Sequence, residues 1–397
     1  MKITVIGDIM CEPPVLHASR KADGSYNFDG VFEKMRPMFD EADYVIGNLE
    51  FPIAGEEMGY TDSFYDFNAP REFAEAAMRA GIDLTSTVNN HTLDRGGDGM
   101  LRTVRELDAM GFANVGVTLS EKERQEAYYF ELDGVKYAVV AYTYTTNKRL
   151  SEKDGALLPC INYLRDPASP TYLPYVRKKM KNWVDKLFKR AKTETRAKIK
   201  TMLGMPGTIE RADDYIDFES AEPFTSRFIS DIKTAKEKAD FVIAYPHVGG
   251  QFNPEPGTFS KYVVHEAVKA GADVVLASHS HMVQQITTVA GRPCAFSLGN
   301  FNMSTHSAIT VKKNLPNYGL AIHLYMNGKE LEKMTFSITK GVEPNGKQIV
   351  TYPIDELYSS VCDCEKKKLL EDVKKVYKFA TGRELEGEII RREYEFI

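Results

Sequence analysis

Short runs of apolar residues alternate along the chain with longer segments in which apolar residues recur every three or four positions. The short runs predict buried strands and the longer segments predict helices, because side chains alternate in a strand and share a helix face every 3.6 residues. Three of the predicted helices end at Gly81, Gly111 and Gly271, because glycine commonly ends a helix. The predicted strands lie at 3–6, 42–50, 83–91, 134–146, 240–247, 274–277 and 294–301, and the predicted helices at 31–39, 70–81, 99–111 and 263–271.

Side chains that can bind a metal ion follow five of these predicted strands. In open α/β sheets, ligands bind at the carboxyl ends of the strands, so we expect these side chains to meet at one edge. The motif ASHSHM (277–282) places His279 and His281 two residues apart in a predicted extended segment, where they would point the same way. The candidate cluster consists of Asp8, Asn48, Glu50, Asn90, His91, His247, His279 and His281.

Each of these residues, taken alone, has an ordinary structural explanation. An aspartate or a pair of asparagines after a strand commonly forms a turn, a lone glutamate is commonly solvated, and His247 beside Pro246 is compatible with a structural role. Their common position after five strands instead predicts one shared metal site. Carboxylate, amide and imidazole ligands together suit one or two divalent transition metals, Mn, Fe or Zn, rather than Ca or Mg. Two metals require a bridging carboxylate, for which Glu50 is the candidate.

Composition narrows the functional classes. The chain of 397 residues has a formal net charge of −5, which gives no reason to expect a nucleic acid partner. Five cysteines without framework spacing argue against a disulfide-stapled secreted protein. No run approaches the roughly 20 apolar residues that span a bilayer, and the segment 1–10 is predicted to be a strand rather than a signal peptide. We therefore expect a cytoplasmic protein without a transmembrane segment.

The chain resembles the CapA/PgsA family of bacterial capsule and poly-γ-glutamate synthesis proteins in six short motifs and in their order and spacing. From the N-terminus to about residue 302, the motifs are GDIM, GNLEFPI, TVNNHTLDRGGDGM, HVGGQF, ASHSHMVQ and FSLGNF. That family has a calcineurin-like metallophosphoesterase fold. The resemblance therefore implies an α/β protein built as a two-sheet sandwich flanked by helices.

The resemblance also implies roles for individual residues. His91 would lie beside the metals and donate a proton to a leaving group or steady the attacked group, and Asp94 would orient His91. Related enzymes place a histidine two residues after the first aspartate, where this chain has Met10, a poor ligand for a hard metal. The implied metal ligands are Asp8, Glu50, Asn90, His247, His279 and His281, with a tight position at Glu50, Asn90, His247 and His279 and a weak or absent metal near Asp8 and His281.

Two regions lie outside the resemblance. We expect the metallophosphoesterase-like domain at 1–350, with a basic helical insertion at about 165–225, and a C-terminal helical extension at 351–397. Within the insertion, residues 175–200 are strongly basic and carry an apolar stripe at helical spacing. This helix would either bind an anionic polymer or surface weakly, or pack on the domain through its apolar stripe. The strand end at 142–146 would line the pocket or be an ordinary polar strand end.

Two functions remain open for such a site. The first is a metal-dependent hydrolase of phosphate esters, or of an amide in a glutamyl polymer, in which His91 assists the attack of an activated water. The second is a non-catalytic, metal-binding accessory protein in capsule or poly-γ-glutamate synthesis. Either function implies an anionic small-molecule or polymer partner. Fold alone does not decide between them.

Overall fold

The described part of the chain is interrupted in three places. The computed structural model describes residues 1–169, 212–307, 311–344 and 347–397, together with the single residues 183, 186 and 187. The predicted basic helix at 175–200 lies outside the described residues, apart from those three positions. Among the helices that are described, none has the length and apolarity needed to cross a membrane.

Strands and helices alternate along much of the chain, as the hydrophobic pattern predicts. The strands are β1 (Lys2–Ile9), β2 (Tyr44–Leu49), β3 (Leu84–Ser86), β4 (Ala113–Val115), β5 (Tyr128–Leu132), β6 (Val135–Thr143), β7 (Phe241–His247), β8 (Val274–Leu276), β9 (Ile286–Val289), β10 (Arg292–Ala295), β11 (Tyr318–Asn327), β12 (Glu330–Val342), β13 (Val350–Pro353) and β14 (Tyr394–Glu395). The helices are α1 (Pro13–Ser19), α2 (Asp29–Phe32), α3 (Arg36–Asp40), α4 (Arg71–Arg79), α5 (Gly96–Met110), α6 (Phe218–Lys238), α7 (Thr258–Ala270), α8 (Ile354–Ser360) and α9 (Asp363–Thr381). Short 3-10 helices lie at Glu56–Met58, Glu121–Glu123, Glu152–Cys160, Ala212–Tyr215 and Lys312–Asn314.

The strands form two sheets. The first has the order β13-β12-β11-β1-β2-β3-β4, with β14 pairing with β12, and the second has the order β5-β6-β7-β8-β10-β9. Strands β1 to β4 run parallel to one another, as do β6, β7, β8 and β10. The carboxyl ends of each parallel set therefore share one edge of their sheet.

The two sheets pack face to face around an apolar core. Because adjacent side chains of a strand point to opposite faces, Val139 packs between the sheets and Val140 packs under the helices on the second sheet. In the first sheet, Ile46 lies between the sheets and Val45 contacts the helical layer. This architecture confirms the predicted fold class, a two-sheet α/β sandwich flanked by helices.

Helices cover the outer face of each sheet. Phe32 of α2 and Phe73 of α4 are buried over the first sheet, while Phe228 of α6 and Val263 of α7 are buried over the second. Fully burying an apolar side chain of this kind contributes about 1.5–3 kcal/mol relative to leaving it in water. The helices on the outer faces therefore stabilise both sheets and so fix the edge at which their parallel strands end.

Several predicted boundaries differ from the structure. The helix predicted at 31–39 is divided into α2 and α3, because Pro37 has no amide hydrogen to continue the helical ladder. Strand β1 continues through Asp8 instead of ending at residue 6. Strand β3 ends at Ser86, so Asn89 lies in a turn, where its amide donates to Thr92 Oγ1 at 2.9 Å.

The C-terminal segment adds a strand to the predicted helices. Leu369 and Val373 of α9 join the core cluster between the sheets, and β14 pairs antiparallel with β12. Two residues are too few to show a periodicity, so the hydrophobic pattern could not reveal β14. Cys362 and Cys364, at the start of α9, form a disulfide, whereas the remaining cysteines, Cys11, Cys160 and Cys294, are buried and free.

Candidate metal centre

The six candidate ligands converge where the two sheets meet. Three come from the first sheet and its loops and three from the second, and each is at most 2% exposed. Asp8 lies in β1, Glu50 directly follows β2 and His247 ends β7. The structure therefore brings together all six residues proposed from the sequence, namely Asp8, Glu50, Asn90, His247, His279 and His281.

Their donor atoms form two groups within the described residues. Glu50, His247 and His279 offer one donor atom each, and these atoms lie within 4.8 Å of one another. Asp8, Glu50 and His281 form a second group within the same limit. Glu50 belongs to both groups, as a carboxylate that bridges two ions must.

Neither carboxylate oxygen of Glu50 has a hydrogen-bond partner among the described residues, although both are buried. Its Oε1 lies 3.4 Å from His281 Nε2 and 3.7 Å from His247 Nε2. A buried charge without a partner is costly in a folded protein. A cation between Glu50 and these histidines would remove that cost, so the residues present fit a divalent metal.

The amide oxygen of Asn90 joins the first group. It lies 2.7 Å from His247 Nε2 and 3.1 Å from His279 Nδ1, and these two ring nitrogens are 3.0 Å apart. With Glu50, this position offers two oxygen and two nitrogen donors. Such a mixed set suits a transition metal better than Ca or Mg.

The carboxylate of Asp8 is held by groups of the protein itself. Its Oδ1 accepts a hydrogen bond from Asn48 Nδ2 at 2.8 Å, and its Oδ2 accepts one from the backbone amide of His279 at 3.2 Å. Asn89 Nδ2 in turn donates to Asn48 Oδ1 at 3.1 Å. Asn48, which lies near the end of β2 and is part of the predicted cluster, thus orients a candidate ligand through its amide nitrogen.

Each candidate histidine contacts a neutral side chain through its other ring nitrogen. His247 Nδ1 lies 2.9 Å from Ser278 Oγ, and His281 Nδ1 lies 2.9 Å from Asn300 Oδ1. His279 Nε2 lies 3.2 Å from the hydroxyl of Tyr144. Such outer contacts fix the ring orientation and tautomer of metal-binding histidines.

Sequence reasoning assigned no role to Ser278 or Asn300 as outer partners. Ser278 lies in the ASHSHM motif and Asn300 in the FSLGNF motif. Membership of a motif is the only feature of the sequence that indicates a role for these two residues. Tyr144 lies within the strand end 142–146, one of the two predicted roles of which is to line the pocket, and its side chain does line the cavity.

The two histidines of ASHSHM do not lie in an extended segment, contrary to the prediction. Their φ angles are 100° for His279 and 52° for His281, in a region that L residues rarely adopt. This turned backbone directs the amide of His279 to Asp8 and assigns the two rings to different donor groups. Backbone strain of this kind costs on the order of 1–3 kcal/mol and commonly marks functional sites.

Burial changes the pKa values of the cluster. It lowers the pKa of His247 and His279 well below the usual value, and neighbouring histidines add to the effect. Burial, together with the nearby Asp8 carboxylate, raises the pKa of Glu50 well above its ordinary value. Neutral imidazoles are the form that binds metal, whereas Glu50 must lose its proton when a metal binds.

His91 and Asp94 form a pair beside the two groups. His91 Nδ1 lies 2.5 Å from Asp94 Oδ2, which also accepts from the backbone amide of Phe67 at 2.7 Å. The ring of Phe67 stacks on that of His91 with 4.2 Å between centroids. His91 Nε2 is left near Glu50, 3.9 Å from Oε1. The predicted contact between His91 and Asp94 is therefore present.

The centre opens into a cavity of about 530 Å³. His91, His279 and His281 form part of its wall, so a ligand in the cavity can reach both donor groups and the His91–Asp94 pair. Met10, at the position where the family resemblance implies a histidine, also lines it. The remaining lining residues are Phe64, Tyr65, Asp66, Tyr144, Asn147, Lys148, Ala212 and Gln251.

A model of the family described as bacterial capsule synthesis protein PGA_cap matches residues 2–305 of this chain. The chain belongs to this family. The match extends across all six candidate ligands, from Asp8 to His281. The family predicted from the six short motifs is thereby confirmed.

Two relatives of this PGA_cap chain are named for polymer or capsule biosynthesis. The PGA biosynthesis protein CapA of Bacillus subtilis is 23% identical over 334 residues, which cover 83% of this chain and 69% of the relative. The capsule biosynthesis protein CapA of Bacillus anthracis is 24% identical over 330 residues, which cover 81% of this chain and 66% of the relative. The remaining part of each relative lies outside the region that matches this chain.

Solved structures resemble the PGA_cap chain only distantly. A hypothetical protein from Thermus thermophilus has a TM-score of 0.41 at 17% identity, covering 89% of this chain and 98% of its own. The sulfate thiohydrolase SoxB from the same species has a TM-score of 0.39 at 9% identity, covering 93% of this chain and 60% of its own. At these scores, neither likeness assigns an activity.

Proposed function

We propose that this chain is a metal-dependent hydrolase of the CapA/PgsA type that acts on a phosphate ester in capsule or poly-γ-glutamate metabolism. The observation that carries the proposal is the buried carboxylate of Glu50, unpartnered among the described residues and shared by two groups of donor atoms. Membership of a capsule synthesis family supports the biological setting. An amide of a glutamyl polymer is the other substrate class that this proposal allows.

Glu50, Asn90, His247 and His279 would hold one divalent transition metal, and Asp8, Glu50 and His281 would hold a second. When bound, a pair of such metals makes a water molecule more acidic and offsets the negative charge of a phosphoryl group. Asn48 and the backbone amide of His279 keep the Asp8 carboxylate facing the centre. Because all these side chains are buried and fixed before a substrate arrives, little reorganisation is needed during the reaction.

His91 is the residue that would move a proton. In the neutral imidazole one nitrogen carries a hydrogen and the other accepts one. The contact with Asp94 keeps the hydrogen on Nδ1, and protonation of Nε2 then gives an imidazolium that the Asp94 carboxylate stabilises. Since His91 also lines the cavity, Nε2 can give this proton to a departing oxygen. A positioned acid of this kind contributes about 10²–10⁴-fold in rate.

The test of this proposal combines metal content with turnover. Protein expressed with Mn, Fe or Zn should retain metal on elemental analysis, and it should hydrolyse at least one member of a panel of phosphomonoesters, phosphodiesters and γ-glutamyl amides. A Glu50→Gln variant serves as the control, since it should lose both metal and turnover. Absence of bound metal from the wild-type protein contradicts the proposal.

A non-catalytic accessory role is the second candidate, and Met10 is the observation that favours it. Met10 lines the cavity at the position of a histidine in related enzymes, so the Asp8, Glu50 and His281 group has only three ligands among the described residues. A single bound metal could then organise the loops without supporting hydrolysis. Stoichiometric metal without turnover on the whole panel would favour this role, in which the metal holds a surface for a polymer or partner.

A further inference from the structure

Tyr144 connects the wall of the cavity to one of the candidate metal ligands. It directly follows β6, is 5% exposed and lines the cavity. Its backbone amide donates to the carbonyl of His247 at 3.0 Å. Tyr144 is thereby fixed relative to β7, the strand that ends in His247.

The side chain of Tyr144 meets the ring of His279 at the nitrogen that faces away from the centre. Its hydroxyl lies 3.2 Å from His279 Nε2, whereas Nδ1 of the same ring lies 3.1 Å from Asn90 Oδ1. A metal held with Glu50 and His247 would therefore take Nδ1 of His279. Coordination through Nδ1 requires the hydrogen of the neutral ring to be on Nε2.

We propose that Tyr144 is a positioning residue that holds His279 as an Nδ1 ligand by accepting the hydrogen of Nε2. This inference rests on the proposed metal centre and names a further residue of it. A hydroxyl both donates and accepts hydrogen bonds. In the metal-free protein it can therefore donate to Nε2 while Nδ1–H donates to Asn90, and it can accept from Nε2–H once Nδ1 holds a metal.

A second contact keeps the ring of Tyr144 in this place. The guanidinium carbon of Arg165 lies 5.9 Å from the centroid of the Tyr144 ring, within the range of a cation–π contact. Arg165 Nη2 also donates to Thr145 Oγ1, on the adjacent residue, at 3.2 Å. Arg165 is itself 5% exposed. The ring is thus held by a buried cation as well as by the backbone.

The test compares Tyr144→Phe with a matched control, Tyr163→Phe. Both tyrosines are buried, but the hydroxyl of Tyr163 lies against Thr146 Oγ1, at 2.8 Å, and not against a histidine. Titration of each metal-free protein with Zn²⁺ should show an affinity for the tighter metal reduced by about 10–100-fold in Tyr144→Phe. The weaker position of the same variant, and both positions of Tyr163→Phe, should keep the wild-type affinity.

A spectroscopic measurement separates a positioning role from a merely structural one. In the Zn²⁺-loaded wild-type protein, long-range ¹H–¹⁵N spectra should show the ring hydrogen of His279 on Nε2, with the signals assigned by their loss in His279→Gln. In Tyr144→Phe these signals should shift or broaden, while those of His281 stay unchanged.

The outcomes distinguish this inference from the proposed function. If the wild-type protein binds no Zn²⁺, the metal centre itself is wrong. If the wild-type protein binds Zn²⁺ and Tyr144→Phe matches it in affinity and in the His279 signals, only the role of Tyr144 is overturned.

Discussion

The two donor groups share Glu50 but differ in the number and origin of their other atoms. The Asn90 side brings an amide oxygen and the rings of His247 and His279 within about 3 Å of one another. The Asp8 side brings one carboxylate and one ring, with 3.4 Å between His281 Nε2 and Glu50 Oε1. Metal affinity follows the number and type of ligands, so the proposed centre would have one position with four ligands and one with three.

The difference arises from single residues and not from the fold. Both groups lie at the carboxyl ends of parallel strands, and both are buried. On the Asp8 side, the cavity wall carries the thioether of Met10, where the family resemblance implies an imidazole, and a thioether is a soft ligand that hard divalent metals avoid. We therefore propose that one framework supports two metal positions whose affinities are set independently.

The largest effect should come from the shared carboxylate. Glu50→Gln removes a ligand from both positions, so we expect loss of both metals in a Zn²⁺ or Mn²⁺ titration.

Glu12→Gln is the matched control for that experiment, because Glu12 is equally buried but belongs to neither group. It should leave the metal stoichiometry unchanged. Retention of either metal by Glu50→Gln would contradict the bridging role of Glu50.

The two groups should separate when one histidine is removed from each. His247→Ala should abolish the tight position, because it deletes one of the two imidazoles there, whereas His281→Ala should abolish the weak one. Elemental analysis after dialysis should show that each variant has lost the metal of the position from which its histidine was removed. The exposed His265 provides the control variant. Loss of both metals from His281→Ala alone would break the comparison.

Changes to the His91–Asp94 pair should lower turnover without lowering the metal content. His91→Gln keeps the cavity wall but removes the group that gives a proton, so the rate constant kcat should fall by about 10²–10⁴-fold. Asp94→Asn should lower kcat by less, because the ring stays in place but loses its charged partner. Reduced metal content in His91→Gln would instead make His91 a ligand.

Removing the residue that contacts the outer ring nitrogen of a histidine should weaken only the metal position to which that histidine belongs. Ser278→Ala removes the contact at His247 Nδ1, and Asn300→Ala removes the contact at His281 Nδ1. Each change should weaken its own metal position by about 10–100-fold. In a Zn²⁺ titration, Ser278→Ala should therefore weaken only the tight position and Asn300→Ala only the weak one. Equal effects of one variant on both positions would contradict their independence.

The smallest change should come from completing the weak position. Met10→His adds an imidazole beside Asp8, so the weaker metal should bind about tenfold more tightly, equivalent to about 1.4 kcal/mol. Met10→Leu, which keeps an apolar side chain of similar size, should leave the affinity unchanged. An unaltered affinity in Met10→His would show that the weakness has another cause.

The hydrophobic pattern predicted the framework better than the details of the centre. Helices α5 and α7 end next to Gly111 and Gly271, and α4 ends two residues before Gly81, because amphipathic spacing and glycine termini are local signals. The six candidate ligands came from strand ends and from motifs of the family. Their convergence from two sheets depends on tertiary packing, which no short window of sequence displays.

Other features depended on contacts that are distant in sequence. The left-handed backbone of His279 is supported by Asp8, which is 271 positions away in the chain. Tyr144 and His279 are separated by 135 positions. Local preference favours an extended conformation for the segment after β8, so the prediction of an extended pair was wrong for a reason that appears only in the folded chain.

Calorimetric titration of metal-free wild-type protein with Zn²⁺ or Mn²⁺ tests the central claim most directly. We expect two sites of unequal affinity, or one site alone, with the tighter metal held by Glu50, Asn90, His247 and His279. No binding of either metal would contradict the metal centre. Two sites of equal affinity would contradict the asymmetry derived from Met10, and would mean that another side chain completes the position at Asp8 and His281.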